Sequence, residues 1–303
     1  MGRGIGLPRE IKPDWGLTCR MFLTLFLLAA LYLFFIAVLW QAGVSLTGIM
    51  LVVGLMLGFQ YYFSDRLVLW STGAREVSRE EAPQLHLMVE RLAARAGIPK
   101  PRVAIVPTDI PNAFATGRSP SQAVVAVTTG LLELLTPEEV EAVLGHEITH
   151  IKNKDVAVLT VASFFATVAS FIVQNFFFWG GGFLDTRDRE DRGGGLMLVY
   201  LVSLLVWVVS FFLIRALSRY REFAADRGSA ILTGSPGHLA SALIKISGAM
   251  GRVPERELQE METLNAFFII PALRKGSLME LFSTHPSLER RLAYLKRLAR
   301  ELK

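Results

Sequence analysis

Leu144-Gly145-His146-Glu147-Ile148-Thr149-His150 lies at the end of a segment that begins Thr136-Pro137-Glu138-Glu139-Val140. Thr136 suits the N-cap of a helix, Pro137 its first position, and Glu139 completes a capping box. Carried forward, that helix sets His146 and His150 one turn apart on one face, where two imidazoles reach one metal ion. Glu147, beside the first of them, reaches a metal-bound water and takes its proton. Chance is the plain alternative. With five histidines in 303 residues, a random HExxH is expected in well under roughly one such chain in a hundred, and this one sits on a properly capped helix. The stretch reads as a zinc site.

Around it the composition is that of a membrane protein. Hydrophobic residues make up 52% of the chain and mean hydropathy is positive, high for a soluble protein. The net charge is +5, but the basic residues are scattered and flank apolar runs, which points to membrane topology rather than nucleic-acid binding. Cys19 is the only cysteine, so no disulfide framework forms and zinc ligands must come from His and carboxylate. The first apolar run is too long for a signal-peptide core and no small-residue cleavage site follows it; a signal anchor is expected.

Four apolar runs are expected to span a membrane. After a polar segment over 1–20, Met21–Trp40 is long enough to cross a bilayer of about 30 Å, and a second run covers Thr47–Phe63. Their link carries no Lys or Arg, whereas Arg20, Arg66 and Arg75 flank the pair. By the positive-inside rule the N-terminus and everything after Phe63 face the cytoplasm. The third run is Val156–Trp179 and the fourth Leu196–Leu217, with a Gly-, Asp- and Arg-rich loop over Gly180–Gly195 between them. Long core helices of a soluble domain are the alternative, but near-continuous apolarity over about 20 residues favours spanning helices.

The polar parts are expected to form one domain in two pieces, 64–154 and 218–303, interrupted by the membrane pair 155–217. Ser78 and Glu81 open a helix with Leu85, Met88, Val89, Leu92 and Ala93 at helical spacing, stopped by Gly97 and Pro99. His86 on that helix reads as a surface or packing histidine. Arg102–Val106 reads as a strand, and Asn112–Gly117 with Ala123–Thr128 as a hairpin around the turn-rich 118–122. Later come a helix from Ser235-Pro236 to Met250, with His238 solvated, a charged helix over Glu255–Thr263, the apolar Phe267–Ile270, and a last helix from Pro286.

A catalytic zinc takes three protein ligands and keeps one position open. No third histidine follows His150, where the chain reads Ile-Lys-Asn-Lys-Asp. The best carboxylates are Glu222 and Asp226, one helical turn apart. One of them can bind the metal while the other accepts a hydrogen bond from a ligating histidine and fixes its tautomer; a solvated face balanced by Arg219, Arg221 and Arg227 is the competing reading. Two spans separate the HExxH helix from Glu222, which returns the chain to the same side.

The HEITH helix, Glu222-x-x-x-Asp226, Asn112-Ala113-Phe114-Ala115-x-Gly117 and the late His285-Pro286 together resemble the HtpX-like membrane zinc metalloproteases, distant relatives of the CAAX-prenyl endopeptidases. The resemblance covers nearly the whole chain. It implies a mainly α fold with a small β-sheet, four transmembrane helices and a cytoplasmic zincin-like protease domain. It also implies one zinc ion held by His146, His150 and Glu222, with Glu147 as general base and Asp226 as hydrogen-bond partner of a ligand. Asn112, Ala113, Phe114 and Ala115 would form an edge strand that pairs with extended substrate. His285 would donate to the developing oxyanion or hold substrate, or else cap the last helix. Arg291 would contact substrate, and Asp155 would cap a helix or support a ligand.

The expected activity is zinc-dependent cleavage of misfolded or damaged membrane proteins at the cytoplasmic face of the inner membrane. The expected partners are polypeptide substrates and the lipid bilayer, with no nucleic acid. Two alternatives stand beside it. A prenyl-protein endopeptidase would need more spans to enclose its chamber, and a catalytically dead metal-binding scaffold would not need the intact Glu147.

Overall fold

The computed structural model describes residues 12–43, 46–180, 189–253 and 283–302. The expected helix over Glu255–Thr263, the run Phe267–Ile270 and residues 181–188 of the expected loop lie outside them, as do Arg3 and Arg9. The fold is mainly helical with one small mixed sheet.

The first helix, α1 (Trp15–Gln41), starts ahead of Met21 because Asp14 caps it, accepting a hydrogen bond from Leu17 N at 2.9 Å. The second, α2 (Leu46–Thr72), contains the run 47–63 and continues through Asp65 and Arg66. Next come the two-residue strand β1 (Arg75–Glu76) and helix α3 (Pro83–Ala96). Ser78 and Glu81 do exchange capping-box hydrogen bonds, but the helix opens only at Pro83. A residue before proline is disfavoured from helical geometry, and Ala82 is extended in φ at −137°.

Strands β2 (Arg102–Val106), β3 (Ala113–Thr116) and β4 (Val124–Thr128) complete a sheet of order β1-β2-β4-β3. The expected hairpin is present, β3 pairing antiparallel with β4 from Ala113↔Val127 to Thr116↔Val124. Strand β4 runs parallel to β2 and is buried along its whole length. An unbroken apolar sequence, Val-Val-Ala-Val, is what a strand covered on both faces requires. On one face Val103, Ala113, Val125 and Val127 join the main core; on the other Ala104, Phe114, Val124 and Ala126 pack against Val68 near the end of α2.

Short α4 (Thr129–Leu134) leads to α5 (Pro137–Lys152), the HExxH helix, and α6 (Asp155–Gly180) follows almost at once. The next helix, α7 (Arg189–Thr233), begins inside the stretch 180–195 expected to be loop. Arg and Glu are good helix formers, and glycines at about 1 kcal/mol each do not stop a helix that runs on into a long apolar segment. Helices α8 (Pro236–Met250) and α9 (Leu288–Glu301) close the fold. His86 proves to be a packing histidine, its Nε2 3.0 Å from Val77 O, and His238 is exposed.

Among the described residues three helices are long and apolar enough to cross a membrane: Trp15–Gln41, Asp155–Phe176 and Met197–Thr233. Leu28, Phe35, Leu39, Val53, Val168, Val202 and Val206 form a bundle core from α1, α2, α6 and α7. The 45 residues of α7 extend about 67 Å at 1.5 Å per residue, well beyond a bilayer core. Its first half packs in the bundle, while Ala230 and Leu232 belong to the core shared by α3, α5, α8, α9 and the sheet. One continuous rod thus carries Glu222 from the bundle to the HExxH helix.

Candidate metal centre

Helix α5 is set by its start. Thr136 Oγ1 accepts from Glu139 N and Glu139 Oε2 accepts from Thr136 N at 2.9 Å, with Pro137 in the first turn. The expected capping box is therefore present. Ten residues on, His146 and Glu147 are buried and His150 half-buried, and the two imidazoles face each other with centroids 4.7 Å apart.

Helix α7 brings Glu222 to them. His146 Nε2 and His150 Nε2 are 3.1 Å apart, Glu222 Oε1 lies 3.3 Å from the latter, and Glu222 Oε2 lies 3.6 Å from the former. Ligands at zinc–ligand distances of about 2.0–2.1 Å in a tetrahedron are separated by about 3.3 Å, so this spacing fits a single zinc ion. Two further observations agree. Glu222 Oε2 is buried with no hydrogen bond, and both ring nitrogens of buried His285 also lack one, although His285 Nδ1 stands 2.9 Å from that oxygen. Unsatisfied buried polar atoms are costly unless something at the site uses them.

The other nitrogen of each histidine is taken by a carboxylate. Asp226 Oδ1 lies 3.0 Å from His146 Nδ1, and Asp155 Oδ2 lies 2.6 Å from His150 Nδ1. Each carboxylate is itself held by a buried arginine. Arg291 forks onto Asp226, with Nε–Oδ2 at 3.0 Å and a terminal nitrogen 2.5 Å from Oδ1; Arg221 pairs with Asp155. Such bonds place the proton on Nδ1 and leave the Nε2 lone pairs aimed at a common point.

The electrostatics follow from burial. Desolvation lowers the pKa of His146, but hydrogen bonds to Asp226 and Glu222 outweigh it and the net direction is up. His150 behaves likewise, with Glu222 the main opposing partner. Desolvation also raises Glu147, against the pull of the two imidazoles and of a hydrogen bond from the Ala115 amide. That amide belongs to β3, so the strand and the HExxH helix meet at Glu147.

The residues expected at the substrate are distributed as follows. Ala113 and Ala115 face the main core, Phe114 packs toward Val68, and Asn112 spends its backbone N–H and C=O on Thr128 at the head of β3. Strand β3 is a sheet edge, and a cleft runs between its end at Ala115 and Thr116, with Gly117 just beyond it, and the first turn of α6, with His150 in its wall. His285 and Arg291 both reach Glu222, Arg291 Nη1 at 3.5 Å, and Arg291 is only 2% exposed. Sequence reasoning missed Arg221, which looked like charge balance on a helix face. Its partner Asp155 is 66 residues away, and no local pattern links them.

Two imidazoles and a glutamate converging on one point, with a second glutamate buried alongside, make up the donor set of a zinc metallopeptidase. Residues 79–299 match peptidase family M48, and the chain belongs to that family. It is 74% identical over 294 residues to the protease HtpX homolog of Moorella thermoacetica, covering 97% of this chain and 98% of that one. The protease HtpX homolog 2 of Methanosarcina acetivorans is 59% identical over 296 residues, covering 98% of this chain and all of that one (100%). The crystal structure of S. mikatae Ste24p has a similar fold, with TM-score 0.54 at 20% identity, covering 93% of this chain; this chain spans 66% of that longer one.

Proposed function

We propose that this zinc metalloendopeptidase cleaves extended segments of misfolded or damaged membrane proteins on the cytoplasmic side of the membrane, with His146, His150 and Glu222 holding the zinc ion. The observation that carries the reading is the convergence of those three ligands beside buried Glu147. Zinc, when bound, supplies an activated water and a Lewis acid for the scissile carbonyl. Glu147 takes the proton of the attacking water and delivers it to the leaving amine, and burial keeps its carboxyl above the ordinary value, closer to the working pH. Asp226 and Asp155 hold the two imidazoles in the ligating tautomer. His285, whose Nδ1 faces Glu222 Oε2 while its buried Nε2 has no hydrogen-bond partner, donates a hydrogen bond to the oxyanion as charge develops. The open edge of β3 pairs with substrate backbone and demands little side-chain identity, as a quality-control protease requires.

Four spans are the topology this reading needs, the fourth being the apolar first part of α2. Lys152 and Lys154, just ahead of α6, together with Arg20 and Arg66, support a cytoplasmic site by the positive-inside rule. The test compares purified full-length chain with Glu147→Gln and Glu222→Gln for zinc content and for cleavage of casein and of itself. Glu147→Gln should keep one zinc per chain and lose at least about 10²–10⁴-fold in rate; Glu222→Gln should lose the zinc. Undiminished cleavage by Glu147→Gln would leave a metal-binding scaffold copurifying with another protease as the explanation.

A further inference from the structure

We propose that Arg221 is a positioning residue for the metal centre: through Asp155 it orients His150, and it ties that orientation to the docking of the membrane helices α6 and α7. The inference rests on His150 being a ligand, as read above.

Arg221 is buried, and one guanidinium nitrogen serves two acceptors, Asn153 O at 2.9 Å and Asp155 Oδ1. Asn153 is the C-cap of α5 and Asp155 the first residue of α6. Between them Lys154 has φ of 55°, the only non-glycine residue in the left-handed region among those described. That conformation costs roughly 1–2 kcal/mol for a residue with a Cβ, so the surrounding contacts must hold the turn. The turn folds Asp155 back onto His150, five residues earlier in the chain. An aspartate in the first turn of a helix also has its own helix's free amides as partners. By engaging Oδ1, Arg221 leaves Oδ2 for His150 Nδ1 and decides which partner the carboxylate keeps.

The two carboxylate relays differ in where they are anchored. The relay from His146 runs from Asp226, one turn beyond Glu222 on α7, to Arg291 on α9 and uses no residue of α6. The relay from His150 runs through the first residue of α6 to α7, the two helices whose apolar lengths pack together in the bundle. Arg221 also precedes Glu222 directly, so one turn of α7 supplies a ligand and clamps the support of another. A change in how α6 sits on α7 is therefore felt at His150 while His146 keeps its partner.

The experiment uses the full-length chain in detergent in a Glu147→Gln background, so that it cannot digest itself. Zinc affinity is measured by chelator competition, and the visible spectrum is recorded with cobalt in place of zinc. Arg221→Met and Asp155→Asn should each weaken zinc binding by about 10–100-fold and shift the cobalt bands. The double variant should bind no more weakly than Asp155→Asn alone, and Arg221→Lys, which keeps the charge but not the planar guanidinium, should recover part of the loss. The proposal is overturned if Arg221→Met binds within about twofold of its parent, or if the two losses multiply in the double variant. If Arg221→Met does not fold by circular dichroism, the same cycle with Arg221→Gln, which removes the charge but keeps a polar side chain, decides by the same criterion. His150→Gln separates the two levels: unchanged zinc content there would remove the ligand reading itself, whereas lost zinc there with an unaffected Arg221→Met would remove only the role of Arg221.

Discussion

Gly228 on α7 lies so close to Thr149 on α5 that a Cβ added to it would come within 2.2 Å of Thr149 Cγ2 and 2.3 Å of Oγ1. On the other side of the crossing Gly145 faces Ser229, whose hydroxyl donates to Ala142 O at 2.6 Å. Small residues let the two helices approach until Glu222 reaches the imidazoles. Thr149 has little room to yield, since its own hydroxyl donates to Gly145 O at 2.8 Å. Gly228→Ala should cost about 1–3 kcal/mol as overpacking and lower zinc content, read by thermal unfolding and metal analysis. Adding Thr149→Ala should restore part of both. A wild-type melting profile for Gly228→Ala would show that the crossing is looser than its geometry.

His285 separates binding from chemistry. Its ring is buried against Glu222 but belongs to none of the three atoms that converge at the metal position. His285→Ala should keep zinc and KM near wild type and lower kcat by about 10²–10³-fold, the size of one oxyanion donor. A loss of zinc of similar size would instead make His285 a support for Glu222.

Much of this site was legible because it is local. The capping box at Thr136 and Glu139, the i, i+4 pair His146 and His150, and the i, i+4 pair Glu222 and Asp226 each declare themselves within one or two helical turns. The hairpin of β3 and β4 was legible from its turn residues. What sequence could not give is how distant turns meet. Arg221 looks like a surface charge, and Arg291 like a substrate contact, until the fold buries each against a carboxylate on another element. The start of α3 failed for a related reason: the Ser78–Glu81 signal is real, but Pro83 has a stronger claim on the boundary. The loop before α7 was drawn too long because its glycines read as breaks, although a long apolar helix propagates back through them.

Glu139 gives a pH signature away from the metal. Burial pushes its carboxyl up, but hydrogen bonds from Lys245, Ser241 and Thr136 N outweigh that and the net pKa is below the ordinary 4.5. A depressed carboxylate stabilises the fold at pH above its unfolded value, and the benefit is lost as pH falls through the folded one. Glu139→Gln keeps an acceptor for the Thr136 amide but loses the charge facing Lys245, and should therefore cost about 1 kcal/mol near neutrality. The gap from wild type should close as the pH drops below 4.5. Parallel unfolding curves for the two proteins from pH 7 to 3 would contradict the sign.

The edge of β3 makes a prediction about the substrate's backbone. Thr128 N donates to Asn112 O at 2.9 Å, so Asn112, and by alternation Phe114 and Thr116, turn their backbone groups toward β4. Ala113 and Ala115 turn theirs toward the open edge, which agrees with the Ala115 amide reaching Glu147. A peptide laid along that edge pairs through every second residue only. N-methylation at amides of one parity should raise KM by about 2–10-fold per site, the worth of a hydrogen bond of about 0.5–1.5 kcal/mol. Methylation at the other parity, whose amides point away, should leave KM unchanged at positions clear of the scissile bond. The assay is a scan of singly N-methylated peptides with kcat and KM measured separately. Equal penalties at all positions would mean that substrate is gripped by its side chains or by the cleft walls, and that β3 is only the rim of the site.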